Sequence, residues 1–175
     1  MKKILVTILL GVVSAVSLNA DDLALTNECL KKKQKSACQK LIDKGLPSVE
    51  KCVDGRVCAA IGLIYEFAEN YHQALPYYEK ACDLKKHKDS CSLVGYAYKN
   101  GEGAKQDFTK ARKYYKKACD MEGGEGCLDL AFLYVKGQGV KQDKAMAKKY
   151  YGKACDLGLQ GGCDSYRKLN EQGIK

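Results

Sequence analysis

The sequence repeats itself at a fixed interval, and this repeat constrains the fold more than any other feature. The segment from Cys91, CSLVGYAYKNGEGAKQDFTKARKYYKKACD, aligns without a gap on the segment from Cys127, CLDLAFLYVKGQGVKQDKAMAKKYYGKACD. Cysteines, tyrosine pairs, glycines and an aspartate coincide at an offset of 36 residues. A period of this length is typical of helical solenoids, in which two-helix units stack on their neighbours. We therefore predict an all-α fold, an α/α superhelical solenoid of two-helix repeats.

Each unit is predicted to form two helices joined by a glycine-containing turn. In the last full unit, helix A runs from about Cys127 to Lys136, and Gly137 and Gly139 end it. Asp143 is expected to cap helix B, because its carboxylate can accept from the free amides of the first turn. Helix B has one apolar face at helical spacing, formed by Ala147, Tyr150, Tyr151 and Ala154.

The units become less regular towards the N-terminus. The unit at 58–90 lacks the Gly-x-Gly turn, has Asn70 at the capping position, and has Pro76 inside its second helix, where proline removes a hydrogen bond. Terminal repeats are often atypical. The predicted organisation is a signal peptide at 1–20, degenerate capping repeats at 21–57, a tetratricopeptide-like repeat at 58–90, full repeats at 91–126 and 127–162, and a capping helix at 163–175.

The first 20 residues have the layout of a secretory signal peptide. Lys2 and Lys3 precede an apolar run from Ile4 to Val16, and small residues lead to a cleavage point after Ala20. The run is shorter than the roughly 20 residues of a membrane-spanning helix, and no cysteine follows the cut directly, which argues against a lipoprotein. We therefore expect a secreted or periplasmic protein with no membrane span after signal cleavage.

The positive charge of the chain does not indicate a nucleic-acid partner. The formal net charge is +9, and it falls to +7 when Lys2 and Lys3 are removed with the signal peptide. Basic residues are spread through every segment and alternate with Asp and Glu, whereas a nucleic-acid-binding protein concentrates them in a patch. The charge pattern is typical of a solvated surface.

All ten cysteines lie in the mature part of the chain, and an even count in an exported protein predicts disulfides. They occur as close couples, and pairing within each couple is the simplest hypothesis: Cys29 with Cys38, Cys52 with Cys58, Cys82 with Cys91, Cys119 with Cys127, and Cys155 with Cys163. No metal or other cofactor is expected. No Cys-x-x-Cys occurs, and His72 and His87 have no ligand-like spacing.

The repeats resemble those of the Sel-like repeat family, which is related to the tetratricopeptide repeats. The resemblance rests on G-x-G-V-K-Q-D in the turn and K-A-x-x-Y-Y-x-K-A-C-D in helix B. With one cysteine couple per repeat and a signal peptide, the chain is similar to the Helicobacter cysteine-rich protein (Hcp) type. This resemblance implies a superhelix with a concave groove, export, and a protein or peptide partner. Some members carry a penicillin-binding or β-lactamase label, which implies a cell-wall or β-lactam-like ligand as the alternative.

Evidence for catalysis in the sequence is weak. A serine β-lactamase uses a Ser-x-x-Lys motif with Ser-Asp-Asn and Lys-Thr-Gly companions. The first motif occurs at Ser48–Lys51 and at Ser165–Lys168, but neither companion occurs. Ser165 is predicted to be a surface residue of the capping helix. The sequence favours a binding scaffold over an enzyme; the alternative is a β-lactamase-type hydrolase with Ser48 and Lys51 as its candidate catalytic pair.

The predicted binding groove lies on helix A, because helix B forms the outer curve of a two-helix solenoid. Its residues are two, five and six positions beyond the buried aliphatic side chains of Ile61, Val94 and Leu130. They mix aromatic and polar side chains that suit an extended peptide or its terminal carboxylate. The nine residues are Leu63, Glu66, Phe67, Tyr96, Lys99, Asn100, Phe132, Val135 and Lys136.

Overall fold

A computed structural model describes residues 20–84 and 87–174, and this part of the chain contains nine α-helices and no strand. The helices are α1 (Ala20–Lys32), α2 (Lys35–Asp43), α3 (Gly55–Phe67), α4 (Tyr71–Asp83), α5 (Lys88–Asn100), α6 (Phe108–Asp120), α7 (Gly124–Lys136), α8 (Lys144–Asp156) and α9 (Gln160–Glu171). The predicted all-α repeat fold is confirmed. Residues 1–19 of the predicted signal peptide lie outside the described residues, and none of the described helices is long and apolar enough to cross a membrane.

The chain divides into two compact units, Met1–His87 and Lys88–Lys175. In the first unit, α1 and α2 pack on each other and on α3, which pairs with α4. Their shared core contains Cys29, Cys38, Leu41 and Ile64. In the second unit, α5 pairs with α6, α7 with α8, and α9 packs on α8.

The same tyrosine contacts recur in the three helix pairs α3–α4, α5–α6 and α7–α8. A tyrosine of helix A stacks on the first tyrosine of helix B, with ring centroids 5.4 Å apart for Tyr65 and Tyr77, 5.9 Å for Tyr98 and Tyr114, and 5.6 Å for Tyr134 and Tyr150. The second tyrosine of each helix B is buried; these residues are Tyr78, Tyr115 and Tyr151. The tyrosines therefore form the contact between the two helices of each repeat.

Two of these buried rings lie directly on a glycine of helix A. A Cβ atom on Gly62 would lie 2.6 Å from Cε1 of Tyr78, and one on Gly95 would lie 2.6 Å from Cδ1 of Tyr115. These distances are shorter than any normal contact between carbon atoms. The absence of a side chain at both glycines is therefore what allows the helices to approach.

The turn between helix A and helix B follows the predicted capping. The carboxylate of Asp107 accepts from the amide of Lys110, and that of Asp143 accepts from the amide of Met146. Gly137 ends α7 in the left-handed conformation with a φ of 68°. Asn70 precedes α4 without a side-chain capping bond, so the repeat without the glycine turn also lacks this cap.

Disulfides join helices whose ends already lie together. The bridges Cys29–Cys38, Cys52–Cys58, Cys119–Cys127 and Cys155–Cys163 confirm pairing within these couples, and Cys82 and Cys91 are disulfide-bonded as well. The Cys119–Cys127 bridge links α6 to α7, and Cys155–Cys163 links α8 to α9. They connect helix B of one repeat to the helix that follows it.

Polar contacts reinforce the junction between consecutive repeats in the second unit. Nζ of Lys153 donates to the carbonyl of Cys119 at 2.8 Å, at the carboxyl end of α6, where a cation is favourable. Nε of Arg112 donates to the carbonyl of Gly139 at 3.2 Å. A Cβ atom on Gly139 would lie 2.4 Å from the carbonyl of Phe108, so the turn of one repeat touches helix B of the repeat before it.

Candidate binding site in the second unit

Two exposed aromatic side chains flank a lysine on the helix A face of the second unit. Tyr96 on α5 is 45% exposed and Phe132 on α7 is 40% exposed. Nζ of Lys99 lies 5.4 Å from the ring centroid of Tyr96 and 5.9 Å from that of Phe132. Both distances are within the range of a cation–π interaction, so Lys99 bridges two neighbouring repeats.

The ammonium group of Lys99 is enclosed further by a carboxylate and a buried ring. Nζ lies 3.2 Å from Oδ1 of Asp129 on α7, and 5.8 Å from the ring centroid of Tyr115. The side chains of Lys99 and Asp129 are only 20% and 28% exposed. We call the group formed by Tyr96, Tyr115, Asp129 and Phe132 around this ammonium the lysine cage. It holds one side-chain cation in a fixed position.

Tyr115 forms the floor of the lysine cage and is completely buried. Its hydroxyl makes no hydrogen bond of ordinary geometry with the described groups. Burial, followed by the negative charge of Asp129, raises the pKa of the Tyr115 phenol well above its usual range. The phenol therefore stays protonated at neutral pH.

A pocket of about 400 Å³ lies beside the lysine cage. Phe132 and Asp129 belong to both, and the hydroxyl of Ser165 shares a hydrogen bond with Tyr151. Ser165, predicted as a surface residue, is thus half-buried in a pocket wall. The pocket combines apolar walls with a carboxylate, an ammonium and a hydroxyl, and its lining consists of Lys99, Leu128, Asp129, Phe132, Tyr151, Gly161 and Ser165.

Six of the nine predicted groove residues belong to the second unit. Tyr96, Lys99 and Phe132 come together as described. Nζ of Lys136 lies 5.7 Å from the centroid of Phe132 on its other side. Val135 is half-buried against the core around α8, and the remaining residue, Asn100, is exposed at the end of α5.

The other three predicted residues lie in the first unit and are engaged in contacts there. Leu63 is half-buried. Glu66 accepts a short hydrogen bond from the hydroxyl of Tyr78, and Phe67 packs against the core that contains Cys29. Helices α1 and α2 supply this packing, and their residues do not follow the repeat pattern of the later units.

Residues that the sequence did not single out complete the site. Asp129 is three residues before Phe132 on α7, so the two share a helix face. That spacing was available from the sequence. The approach of Asp129 to Lys99 was not, because it depends on how α5 and α7 pack. Leu128 and Gly161 were missed as well, whereas Tyr151 was predicted on the apolar face of helix B and Ser165 on the surface, neither of them in a site.

The candidate catalytic pair, Ser48 and Lys51, lies in the first unit. Ser48 and Lys51 are both exposed, at the two ends of a single 3-10 turn. The Glu50 backbone amide and the Ser48 hydroxyl hydrogen-bond to the Glu50 carboxylate and lower its pKa. The Ser48 hydroxyl is therefore engaged by a neighbouring carboxylate.

Sequence comparison supports the repeat assignment. Residues 88–122 and 124–159 match the Sel1 repeat, and residues 55–88 match the tetratricopeptide repeat. The chain thus carries two segments that match the Sel1 repeat, preceded by one that matches the tetratricopeptide repeat. No curated protein matches its sequence significantly.

Solved structures of similar proteins share the fold. A Sel1 repeat protein from Oxalobacter formigenes is 26% identical with a TM-score of 0.61, over 67% of this chain and 46% of that one. The cysteine rich protein B of Helicobacter pylori is 27% identical with a TM-score of 0.50, over 81% and 88% of the two chains. The chain is thus similar to this cysteine-rich protein over most of both lengths.

A third structure shows the fold alone. It is a protective antigen present in uropathogenic Escherichia coli strains displaying an SLR fold, 22% identical with a TM-score of 0.63, over 89% of this chain and 37% of that one. The chain therefore spans less than half the length of the Oxalobacter and Escherichia coli proteins.

Proposed function

We propose that this protein is an exported, disulfide-rich scaffold that binds a protein or peptide partner through Tyr96, Lys99 and Phe132. The observation that carries the proposal is the exposure of two large aromatic side chains on either side of a held lysine, next to a pocket. Aromatic side chains beside a pocket are the usual energetic centre of a protein interface. Repeat folds of this class serve as scaffolds for such interfaces.

The chemistry of the surface suits an extended polypeptide. Tyr96 and Phe132 offer rigid apolar area, so little side-chain entropy is lost on binding. Lys99 is already held by Asp129 at 3.2 Å, so its remaining N–H donors are oriented before a partner arrives. A peptide offers alternating amide donors and acceptors that can satisfy the cation and the carboxylate together.

The disulfides support export. All cysteines of the described residues are bonded, and such bridges persist only in oxidising compartments. The predicted signal peptide at residues 1–20 provides a route to the periplasm or the medium. Its cleavage is checked by sequencing the N-terminus of the protein recovered from the periplasm and from the culture medium.

The experiment is peptide selection against the oxidised mature protein, followed by calorimetry of the selected peptides. We expect Tyr96→Ala and Phe132→Ala each to weaken binding about tenfold, which corresponds to about 1.4 kcal/mol. Tyr166→Ala is the matched control, because Tyr166 is 40% exposed in the same unit but does not line the pocket. Selected peptides that bind the Tyr96→Ala, Phe132→Ala double variant as tightly as the native protein would rule out this surface.

A further inference from the structure

We propose that the pocket beside Phe132 binds the side-chain ammonium of a lysine from the partner, in the position that Lys99 fills one repeat earlier. This inference rests on the proposed function, because it names the chemistry of the ligand for the same face. The internal repeat supports it, because the lysine cage and the pocket occupy equivalent positions in consecutive repeats.

An offset of 36 residues relates the residues around the lysine cage to residues around the pocket. Tyr96 corresponds to Phe132, Tyr115 to Tyr151, and Lys99 to Val135. Two aromatic walls of the lysine cage therefore recur in the pocket, whereas the residue that would fill it is a valine. A valine side chain ends about 4 Å short of the point that a lysine ammonium reaches. The pocket thus keeps two of the four walls of the lysine cage, and it has no lysine at position 135.

The pocket also contains the acceptors that an ammonium group needs. Asp129 lines it, and a carboxylate can accept about four hydrogen bonds, so it can hold a second cation beside Lys99. Ser165 stands at the position equivalent to Asp129 and adds a hydroxyl oxygen. Aromatic faces combined with a carboxylate are the usual recognition site for an alkylammonium ion.

Two positive charges oppose the incoming ammonium. Lys99 lines the pocket as well, and its ion pair with Asp129 leaves the two side chains together without net charge. Lys168, at the position equivalent to Phe132, is exposed, so water and salt screen it. We therefore expect a dissociation constant in the millimolar range for an isolated lysine side chain, and tighter binding after Lys168→Met.

The test uses short peptides and amide chemical shifts of the oxidised mature protein. Acetyl-Gly-Lys-Gly-amide is compared with the same peptide carrying norleucine or Nε-acetyl-lysine, and with Gly-Gly-Gly-amide, whose only amine is at its terminus. We expect the amide signals of Phe132, Tyr151 and Ser165 to shift with the lysine peptide alone. The proposal would be overturned if the norleucine peptide caused equal shifts or if the lysine peptide caused none. It would also be overturned if only Gly-Gly-Gly-amide, with its terminal amine, caused shifts.

A variant derived from the repeat provides the second arm. Val135→Lys places an ammonium in the pocket as Lys99 does in the cage, and is expected to weaken binding of the lysine peptide at least tenfold. Val135→Leu is the matched control, because it enlarges the same side chain without charge and should retain binding. Circular dichroism verifies that both variants fold. Unchanged binding in Val135→Lys contradicts the assignment.

The outcomes separate this inference from the proposed function. Selected peptides that depend on Tyr96 but bind the Val135→Lys variant normally would support the scaffold and overturn the lysine pocket. Failure to select any peptide dependent on Tyr96 would overturn the scaffold surface, while the lysine tripeptide titration still reports on the pocket by itself.

Discussion

Lys99 and Asp129 form an ion pair between helix A of one repeat and helix A of the next, with Nζ 3.2 Å from Oδ1. Both side chains are largely withdrawn from solvent. Breaking the pair should therefore lower the free energy of unfolding by more than breaking an exposed pair does, and by less than breaking a fully buried pair does. We expect Asp129→Asn to lower the free energy of unfolding by about 1 kcal/mol.

A double-mutant cycle isolates this contribution. Urea unfolding of Asp129→Asn, Lys99→Met and the double variant should give a coupling energy of about 0.5 to 1 kcal/mol. Lys116 and Asp120, an exposed pair 2.6 Å apart on α6, provide the control cycle, with an expected coupling of at most about 0.5 kcal/mol. Equal coupling energies in the two cycles would mean that the lysine cage does not strengthen the ion pair between Lys99 and Asp129.

Gly95 is expected to tolerate no side chain. Gly95→Ala places a Cβ 2.6 Å from Tyr115, and the overlap should lower the free energy of unfolding by about 1 to 3 kcal/mol. Gly161→Ala is the control, since its Cβ would meet only Leu128 at 3.9 Å, and alanine favours a helix. We expect that variant to be neutral or slightly more stable in urea unfolding; equal destabilisation of the two variants would disprove the role of Tyr115.

Buried tyrosines are expected to limit stability at high pH. Burial, followed by the charge of Tyr65, raises the pKa of Tyr77 to about 12, and burial also raises those of Tyr78 and Tyr115. The unfolded chain loses these phenolic protons near pH 10, while the folded chain retains them. The contribution of these tyrosines to the free energy of unfolding is therefore fully present below about pH 10 and is lost as the pH rises towards 12.

This pH dependence is measured by brief urea unfolding between pH 8 and 11, together with the absorbance of tyrosinate at 295 nm. The chain has 12 tyrosines, and the buried ones should ionise only when the protein unfolds. Part of the total increase in tyrosinate absorbance should therefore appear only on unfolding. The Tyr115→Phe variant should lose less stability over this range than the native protein. A single transition near pH 10 for all tyrosines of the folded protein would contradict the expected burial effect.

The Cys155–Cys163 bridge holds the last helix on the second unit. Replacing both cysteines by serine reopens a loop of eight residues and should lower the free energy of unfolding by about 2.5 kcal/mol in the chain-entropy model. Non-reducing peptide mapping verifies that the other bridges remain, and urea unfolding measures the loss. An unchanged midpoint would show that packing of α9 alone suffices.

Features of the repeat could be predicted from the sequence because they are local. Asp143 caps α8 through the amide three residues later, and Cys119 pairs with a cysteine eight residues away. The pocket could not be predicted, because its lining residues come from different helices and meet only through the packing between repeats. The packing of Phe67 was also missed, since α1 and α2 carry no repeat signature.

The short span of the disulfides has a consequence for how the chain matures. The four bridges whose geometry is described join cysteines six to nine residues apart. If the chain is exported as proposed, each couple is complete a few residues after its first cysteine enters an oxidising compartment, and before the first cysteine of the next couple arrives. Oxidation in order of arrival gives the native partners directly, so this chain should need an oxidant during its biogenesis but little help from an enzyme that reshuffles disulfides.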